Sequence, residues 1–336
     1  MGSTPLYIWL SLRGDEPQGE IPRAVYTEHI LYAQCKLHEC ARNKLRNLRI
    51  WFSIFAVCWA FTGILRAEPS GKLSVTFLYC GQGDCAVIET PSGKTYLIDA
   101  GPSDKNYGGV FDAGESVIIP FLKSAKAVKL DALLITHTHL DHYGGAQFIL
   151  NNFNTDEWID SGIPVSAPDY LEILKTLDAK HIRYSTVKAG DRLDWDKSLT
   201  VEVLAPWPQN RPDARKINDT SIVIKLTYGS VSFLFAGDAE KQEQADLVKK
   251  YGRKLKSQIL KFPHHGSRTA KHQGFLAAVD PETVVISCGR KNKFFHPHTS
   301  TLKMLKRSGA KIYRTDTDGS VQVTTDGKTY SIDQVK

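Results

Sequence analysis

The chain has little cysteine: six residues in 336, at Cys35, Cys40, Cys58, Cys80, Cys85 and Cys288. So few and so scattered, they exclude a disulfide scaffold and a cysteine zinc knuckle, and they define no redox compartment. Cys80 and Cys85 flank the turn Gly81-Gln82-Gly83-Asp84 and read either as a pair in an exported domain or as small buried strand residues. Long apolar runs are absent too. The longest, Ile50 to Leu65, has 16 residues, short of the roughly 20 of a comfortable membrane span, so a channel of many helices is not expected from this sequence. There is no internal repeat of short period, no low-complexity linker and no aromatic-interleaved basic track of the kind that stacks single strands.

What is present is a chain with 42% hydrophobic residues, enough for a substantial core. Its net charge of +7 is unevenly spread. Lys241 to Lys336 carries 19 Lys plus Arg against 8 Asp plus Glu, whereas Glu68 to Glu240 carries 16 against 23. A basic C-terminal third facing an acidic first part suits a phosphate-bearing substrate, with some of the acids serving as metal ligands; the alternative is a solvated lysine-rich surface.

Residues 50–67 combine an apolar run with a basic flank (Arg42, Lys44, Arg46, Arg49) and a small residue, Ala67, at a possible cleavage point. This matches a secretory signal or an uncleaved anchor, either of which places the following domain outside the cytoplasm. A buried helix is the alternative, but Trp51, Phe52, Phe55, Trp59 and Phe61 leave it no polar face. Residues 1–49 are an N-terminal segment of uncertain status. The late position of the basic-apolar pattern leads to the expectation that the true start lies near residues 37–48.

Residues 70–336 read as one domain. LSVTFLY (73–79), CAVIET (85–90) and TYLIDA (95–100) are predicted strands of an opening meander, and DALLITH (131–137) is an apolar strand leading into the helix 144–153. Further strands are predicted at 199–205, 221–228, 231–236, 283–287, 311–314, 320–325 and 328–332, and helices at 240–251, 272–279 and 299–307. Strand-rich halves with helices between them imply an α/β fold of sheets packed on each other with helices outside.

The chemistry concentrates in Thr136-His137-Thr138-His139-Leu140-Asp141-His142-Tyr143-Gly144-Gly145. Three histidines and an aspartate within six residues, on a loop after a buried strand, supply imidazole nitrogens and a carboxylate suited to zinc. On an extended turn alternate residues face opposite ways, so His137 and His139 turn to one metal and Asp141 and His142 to another. A bound divalent metal activates water and polarises the substrate oxygen, so no side-chain nucleophile is required.

This HxHxDH run resembles the signature of the metallo-β-lactamase superfamily, an αββα sandwich of two mixed sheets with outer helices. The resemblance implies further roles. Asp99, ending YLIDAG, matches a carboxylate that supports the site from behind the ligands. Asp238, in FLFAGDAE, matches an aspartate that commonly bridges two metals, and His264 and His265, in KFPHHGS, match the late histidine motif. More narrowly, CGQGDC, LIDAG, NDTSIVIKLTYG, FLFAGD, KFPHHGS, FHPH and YRTDTDGSVQV are similar to the extracellular hydrolase domain of the ComEC family of competence DNA-uptake proteins, over about residues 75–325.

Two departures matter. ComEC-type domains often lack the second histidine, present here as His139. The further histidine that completes the first metal site in metal-replete relatives has no counterpart: only His181 lies between His142 and Asp238, in an unsuitable KHIRY context, with Asn218 as a possible substitute. The expectation is therefore two divalent metals, zinc foremost and manganese as the alternative. One site is firm (Asp141, His142, Asp238, His265) and one weaker (His137, His139, Asp238). Asp141 would also orient the attacking water, and His264 would protonate the leaving group or bind a phosphate oxygen. Ser267, Arg268, Lys291, Lys293, His296 and His298 fall by motif order near the mouth of the site, where an exposed polar turn is the plainer reading. The implied function is a metal-dependent phosphodiesterase or nuclease acting outside the cytoplasm, with DNA as a candidate substrate. A small-molecule ester, lactone or phosphocholine hydrolase and a non-catalytic DNA-binding module are the alternatives. No protein partner follows from the sequence, and the fold name alone is no argument for an antibiotic substrate.

Overall fold

In the computed structural model the described residues are 71–207 and 217–335. The expectations for residues 1–49 and 50–67 lie outside them. Among the described residues no helix is long and apolar enough to cross a membrane.

The strands β1 (Leu73–Phe77), β2 (Ala86–Glu89) and β3 (Thr95–Ile98) pair antiparallel as a meander. β4 (Ala132–Leu134), β5 (Glu157–Asp160) and β6 (Arg183–Thr186) join in parallel beyond β3. Parallel neighbours need long crossovers, and here helices provide them. From the far end of the chain, β13 (Ser320–Thr325) and β14 (Tyr330–Val335) return to extend the sheet past β1, making eight strands. The second sheet has six strands. β7 (Leu199–Ala205), β8 (Val223–Tyr228) and β9 (Val231–Phe235) are antiparallel, whereas β10 (Ile259–Lys261), β11 (Thr283–Ile286) and β12 (Lys311–Arg314) continue in parallel.

Because strand side chains alternate between faces, each sheet buries one set inward and one outward. Val75, Phe77, Ile88, Ile98 and Leu134 meet Val203, Ile224, Phe233, Phe235 and Val285 between the sheets, with the Phe77 and Phe235 rings 5.9 Å apart. Val87, Leu97, Leu133 and Trp158 face out from the first sheet under the helices Ala146–Asn152 and Pro168–Ala179. Leu234, Leu260, Val284 and Ile286 face out from the second, under Lys241–Tyr251, Gln273–Val279 and Thr299–Ser308. The result is the four-layer helix, sheet, sheet, helix sandwich.

Local sequence explains the covering helices. Pro168 opens its helix where no intrahelical N–H is needed, and Tyr170, Ile173 and Leu177 are its buried stripe. Thr301, Met304 and Leu305 do the same for Thr299–Ser308, which Gly309 ends in the left-handed conformation at φ 82°. The edge-on contact of Trp158 with Tyr170 is fixed by two donations to one oxygen: Trp158 Nε1 (3.0 Å) and Tyr170 Oη (2.6 Å) both reach Asp160 Oδ2. Burying a large side chain of this kind contributes about 1.5–3 kcal/mol. Cys80 and Cys85 are buried and unpaired, which leaves them the role of small buried side chains, and burial pushes both thiols up.

Candidate metal centre

One end of the sandwich collects the loops that follow the parallel strands: Asp99 after β3, His137 and His139 after β4, Asp238 after β9, and His264 and His265 after β10. Ligand sites in sheets of this kind form beyond the carboxyl ends of such strands. Asp99 adopts φ 60° and accepts from the Thr136 N–H (2.7 Å) and hydroxyl (2.9 Å). Its other task is to take the Nδ1–H of His142 at 2.8 Å. That contact fixes the imidazole tautomer and aims Nε2 at Asp238 Oδ1, 3.3 Å away.

His265 is held in the same manner from the opposite sheet. Its Nδ1 lies 3.2 Å from Asp84 Oδ1 and 3.1 Å from the Ser287 carbonyl, which leaves Nε2 facing Asp141 Oδ2 at 3.1 Å and Asp238 Oδ2 at 3.7 Å. Asp84 is in turn clamped by Lys261 Nζ at 2.5 Å, both side chains being 6% exposed. The turn carrying Asp84 lies on the ligand loop itself. Asp84 N–H donates to the Asp141 carbonyl, and a Cβ on Gly83 would stand 2.3 Å from that same oxygen. Sequence reading missed Asp84 and Lys261 as site residues; the available signal was a lysine inside the apolar run ILKF and an aspartate closing a glycine-rich turn.

His137 Nε2 is 3.7 Å from Asp238 Oδ2 and 3.0 Å from His139 Nδ1. Ligand atoms converge in overlapping sets: His137, His142 and Asp238; Asp141, His142 and His265; Asp84, Asp238 and His265; and Asp84, Asp99 and His142. His142 and Asp238 each belong to more than one set. His139 belongs to none, and its ring instead packs edge-on against His137.

These residues fit a divalent cation. His142 Nε2 and Asp238 Oδ1 are buried, face each other and have no hydrogen-bond partner, a costly arrangement unless something between them accepts both lone pairs. A mixed imidazole and carboxylate donor set suits zinc or manganese. Charge balance agrees. Burial opposes the charges on Asp238 and Asp141, but neighbouring histidines outweigh it and hold both carboxyls below the ordinary range. Lys261 and His265 likewise overcome burial to hold Asp84 at about 2. Burial also opposes charge on His265 and His142, yet the carboxylates lift His265 to about 10 and His142 well above the usual imidazole value. The cluster thus demands positive charge. His137 and His139 are instead held down, first by burial.

The remaining residues surround the centre unevenly. His264, with a side chain 21% exposed, meets Glu240 Oε1 through Nδ1 at 3.1 Å and leaves Nε2 3.8 Å from Asp238 Oδ2. Asn218 donates to Glu240 at 3.4 Å, which places it beside His264 through that carboxylate. His296 packs 5.6 Å from the His264 ring and 6.1 Å from the His265 ring, and His298 lies 5.0 Å beyond it. Burial and the three neighbouring histidines push His296 down to about 4. Ser267 is buried with its hydroxyl turned to Thr269 Oγ1 at 2.9 Å, so it serves the loop. Arg268 gives its backbone N–H to His298 Nδ1 (3.2 Å) and, like Lys291 and Lys293, has an exposed side chain.

The chain belongs to the metallo-β-lactamase superfamily, whose family model, described as Metallo-beta-lactamase superfamily, matches residues 78–290. Within it the chain is similar to competence proteins. It is 31% identical to ComE operon protein 3 of Bacillus subtilis (strain 168), over 79% of this chain and 35% of that protein. It is also 31% identical to Competence protein ComA of Neisseria gonorrhoeae, over 76% of this chain and 33% of that one. A more distant similarity, 25% identity over 54% of this chain and 21% of the relative, is to Endoribonuclease ysh1 of Aspergillus fumigatus. The chain spans about a third of the length of the competence relatives it matches.

Proposed function

We propose that this chain is a metal-dependent phosphodiesterase acting on nucleic acid. The observation that carries the reading is the pair of ligand sets that share His142, Asp141 with His142 and His265 and His137 with His142 and Asp238, beside loops bearing the exposed Arg268, Lys291 and Lys293. A divalent ion held there supplies Lewis-acid charge and an activated water. Asp99 and Asp84 keep His142 and His265 turned toward it. Glu240, held low in pKa first by its hydrogen bond from His264, holds the His264 ring through Nδ1 with Nε2 facing Asp238, which makes His264 the candidate to protonate a leaving oxygen. The rim lysines and arginine attract the phosphate backbone. The similarity to competence proteins and to an endoribonuclease supports a phosphodiester substrate. The apolar run 50–65 with its basic flank supports action outside the cytoplasm, by export or by a membrane anchor.

The test is bound metal per chain, read by elemental mass spectrometry, together with Mn²⁺- or Zn²⁺-supported cleavage of bis(p-nitrophenyl) phosphate and of single- and double-stranded DNA, beside Asp141→Ala. Cleavage lost in that variant is the expected result. About two bound metals with hydrolysis of lactones or thioesters and of no phosphodiester would overturn the reading in favour of a small-ester hydrolase. Steeply salt-dependent DNA binding without any turnover would favour a binding module.

A further inference from the structure

Between β11 and the helix Thr299–Ser308 runs the loop Arg290-Lys291-Asn292-Lys293-Phe294-Phe295-His296-Pro297-His298. Phe294 and Phe295 are 48% and 82% exposed, and they are the exposed phenylalanines among the described residues. Adjacent large apolar side chains held in water mark a surface built for contact. This exposure is imposed by the loop. Asn292 organises it: its amide donates to the carbonyls of Gly289 (2.8 Å) and His296 (2.6 Å), and its Oδ1 accepts from the N–H groups of Phe294 (3.2 Å) and His296 (2.9 Å). Phe295 sits at φ 59° and Lys291 at φ 50°, conformations that side chains rarely adopt and that a loop keeps only when its surroundings enforce them. At the base of the loop, Gln82 Oε1 accepts from the Gly289 N–H at 3.0 Å, and Arg290 lies over the Tyr79 ring and donates to the Asp316 carbonyl.

The loop ends at the metal centre. His296 lies 6.1 Å from the ring of His265, and the Phe294 ring stacks with His296 at 5.6 Å and 22°. Aromatic faces therefore lead outward from a candidate metal ligand to an exposed phenylalanine. Cations flank them: Lys293 Nζ stands 5.2 Å from the Phe294 ring centroid, and among the described residues no carboxylate pairs with Arg290, Lys291 or Lys293. Flat apolar faces spaced among unpaired cations match an unpaired strand, whose bases offer π-faces on every nucleotide and whose backbone is anionic. A duplex hides those faces in its own stack, and neutral small esters make no use of the cations.

We infer that Phe294 and Phe295, with Lys291 and Lys293, form a stacking platform that seats the unpaired bases of a single-stranded nucleic acid and leads its phosphodiester backbone to the metal centre. This rests on the phosphodiesterase reading for the cleavage it serves, but not for the binding itself.

The test uses the full chain with its metal and a labelled oligothymidylate of about ten nucleotides, phosphorothioate-linked to slow cleavage. An abasic oligomer of equal length and a duplex serve as comparisons. Fluorescence anisotropy on wild type, Phe294→Ala, Phe295→Ala and Phe295→Trp reads the affinity. Each alanine variant is expected to weaken oligothymidylate binding roughly ten-fold, to leave abasic binding unchanged and to melt as wild type does. Phe295→Trp is expected to restore affinity, its indole emission quenched by oligothymidylate and not by the abasic strand. Unchanged oligothymidylate binding in both alanine variants, equal weakening on the abasic strand, or wild-type preference for duplex would each overturn the platform. Cleavage of bis(p-nitrophenyl) phosphate by wild type is read separately. If it is cut while the alanine variants bind normally, the platform falls and the phosphodiesterase stands; base-dependent binding with no phosphodiester cut has the opposite meaning.

Discussion

Replacing Lys261 by methionine tests how the two sheets are tied at the metal centre. Lys261 Nζ and Asp84 Oδ2 are 2.5 Å apart with both side chains 6% exposed, so solvent screens little of their interaction. Removing one partner of a buried pair leaves the other charge uncompensated, at a cost of about 3–5 kcal/mol. His265 still faces Asp84 at 3.2 Å, which favours the lower part of that range. At roughly 2–4 °C per kcal/mol for a domain of this size, Lys261→Met should lower Tm by roughly 6–20 °C in thermal melts followed by circular dichroism. Lys175→Met is the control. Lys175 pairs with Glu172 at 3.2 Å with side chains 76% and 60% exposed, an interaction of about 0–1 kcal/mol. The double variant Asp84→Leu with Lys261→Met removes both charges and leaves His265 Nδ1 its contact with the Ser287 carbonyl, so it should melt above Lys261→Met. Equal shifts for Lys261→Met and Lys175→Met, or a double variant as unstable as the sum of its parts, would refute the argument.

Glu243 lies buried in the helix Lys241–Tyr251 with neither carboxylate oxygen hydrogen-bonded, and burial, then Asp219 and Asp246, push its pKa well above the ordinary value of 4.5. An unsatisfied buried group costs about 1–3 kcal/mol, more than the roughly 0.3–1 kcal/mol its place in the first helical turn returns, so Glu243→Met should be stabilising. For a carboxyl whose folded pKa is raised, the penalty is absent below the unfolded pKa and grows as pH rises toward the folded one. The Tm gap over wild type should therefore widen as pH rises above the ordinary carboxyl value of 4.5; a gap that stays constant in melts at rising pH contradicts the assignment. Asp99→Asn keeps the shape of the group that orients His142 but weakens its hold on Nδ1–H, and should reduce metal affinity about 10–100-fold in competition with a chromophoric chelator, with the fold intact by circular dichroism. Gly83→Ala places a methyl 2.3 Å from the Asp141 carbonyl, which forces the Asp84 turn off the ligand loop. A loss of about 1–3 kcal/mol in urea unfolding, accompanied by weaker metal binding, is expected, and an unperturbed variant would show that the two loops are not packed as described.

Much of the fold was legible because its strands are apolar, β-branched runs bounded by turn residues, and β13 alternates cleanly as well. The meander β1 to β3 and the strands β7 to β9 are runs rich in β-branched and apolar residues, most of them buried, and β12 and β13 were bounded as the structure bounds them. The reading missed β10, whose three residues are too few to show a period although it lies between β9 and β11. It also missed β6, an edge strand with a mostly exposed pattern that carries no apolar signal. At the site, the residues that announced themselves are those whose chemistry is concentrated locally, within HTHLDH or HHG. Asp84 and Lys261 meet across 177 positions of sequence, and no local pattern encodes such a pairing. The Phe294-Phe295 dipeptide was given no role of its own from the sequence, and both rings stand in solvent.

The two sheets contribute opposing parts of one electrostatic problem. Loops of the first sheet bring Asp84, Asp99 and Asp141 to the edge, and the second sheet brings Asp238 and His265 on loops and Lys261 at the end of β10. Without compensating charge, carboxylates so close and so buried would drive the loops apart, because their repulsion acts in a low-dielectric surrounding. Lys261 neutralises one of them, Asp84, by direct ion pairing. The others are balanced through imidazoles, which accept a proton or yield the same lone pair to a cation, so His142 and His265 adapt to either occupant of the centre whereas a second lysine would bar the cation altogether. This explains why the chain uses a buried lysine only on the Asp84 side of His265 and reserves imidazoles for the face that looks onto Asp141 and Asp238. Stability and function therefore meet in the same residues: the arrangement that leaves His142 Nε2 and Asp238 Oδ1 without partners is unfavourable for the protein alone and becomes favourable when a divalent ion is bound.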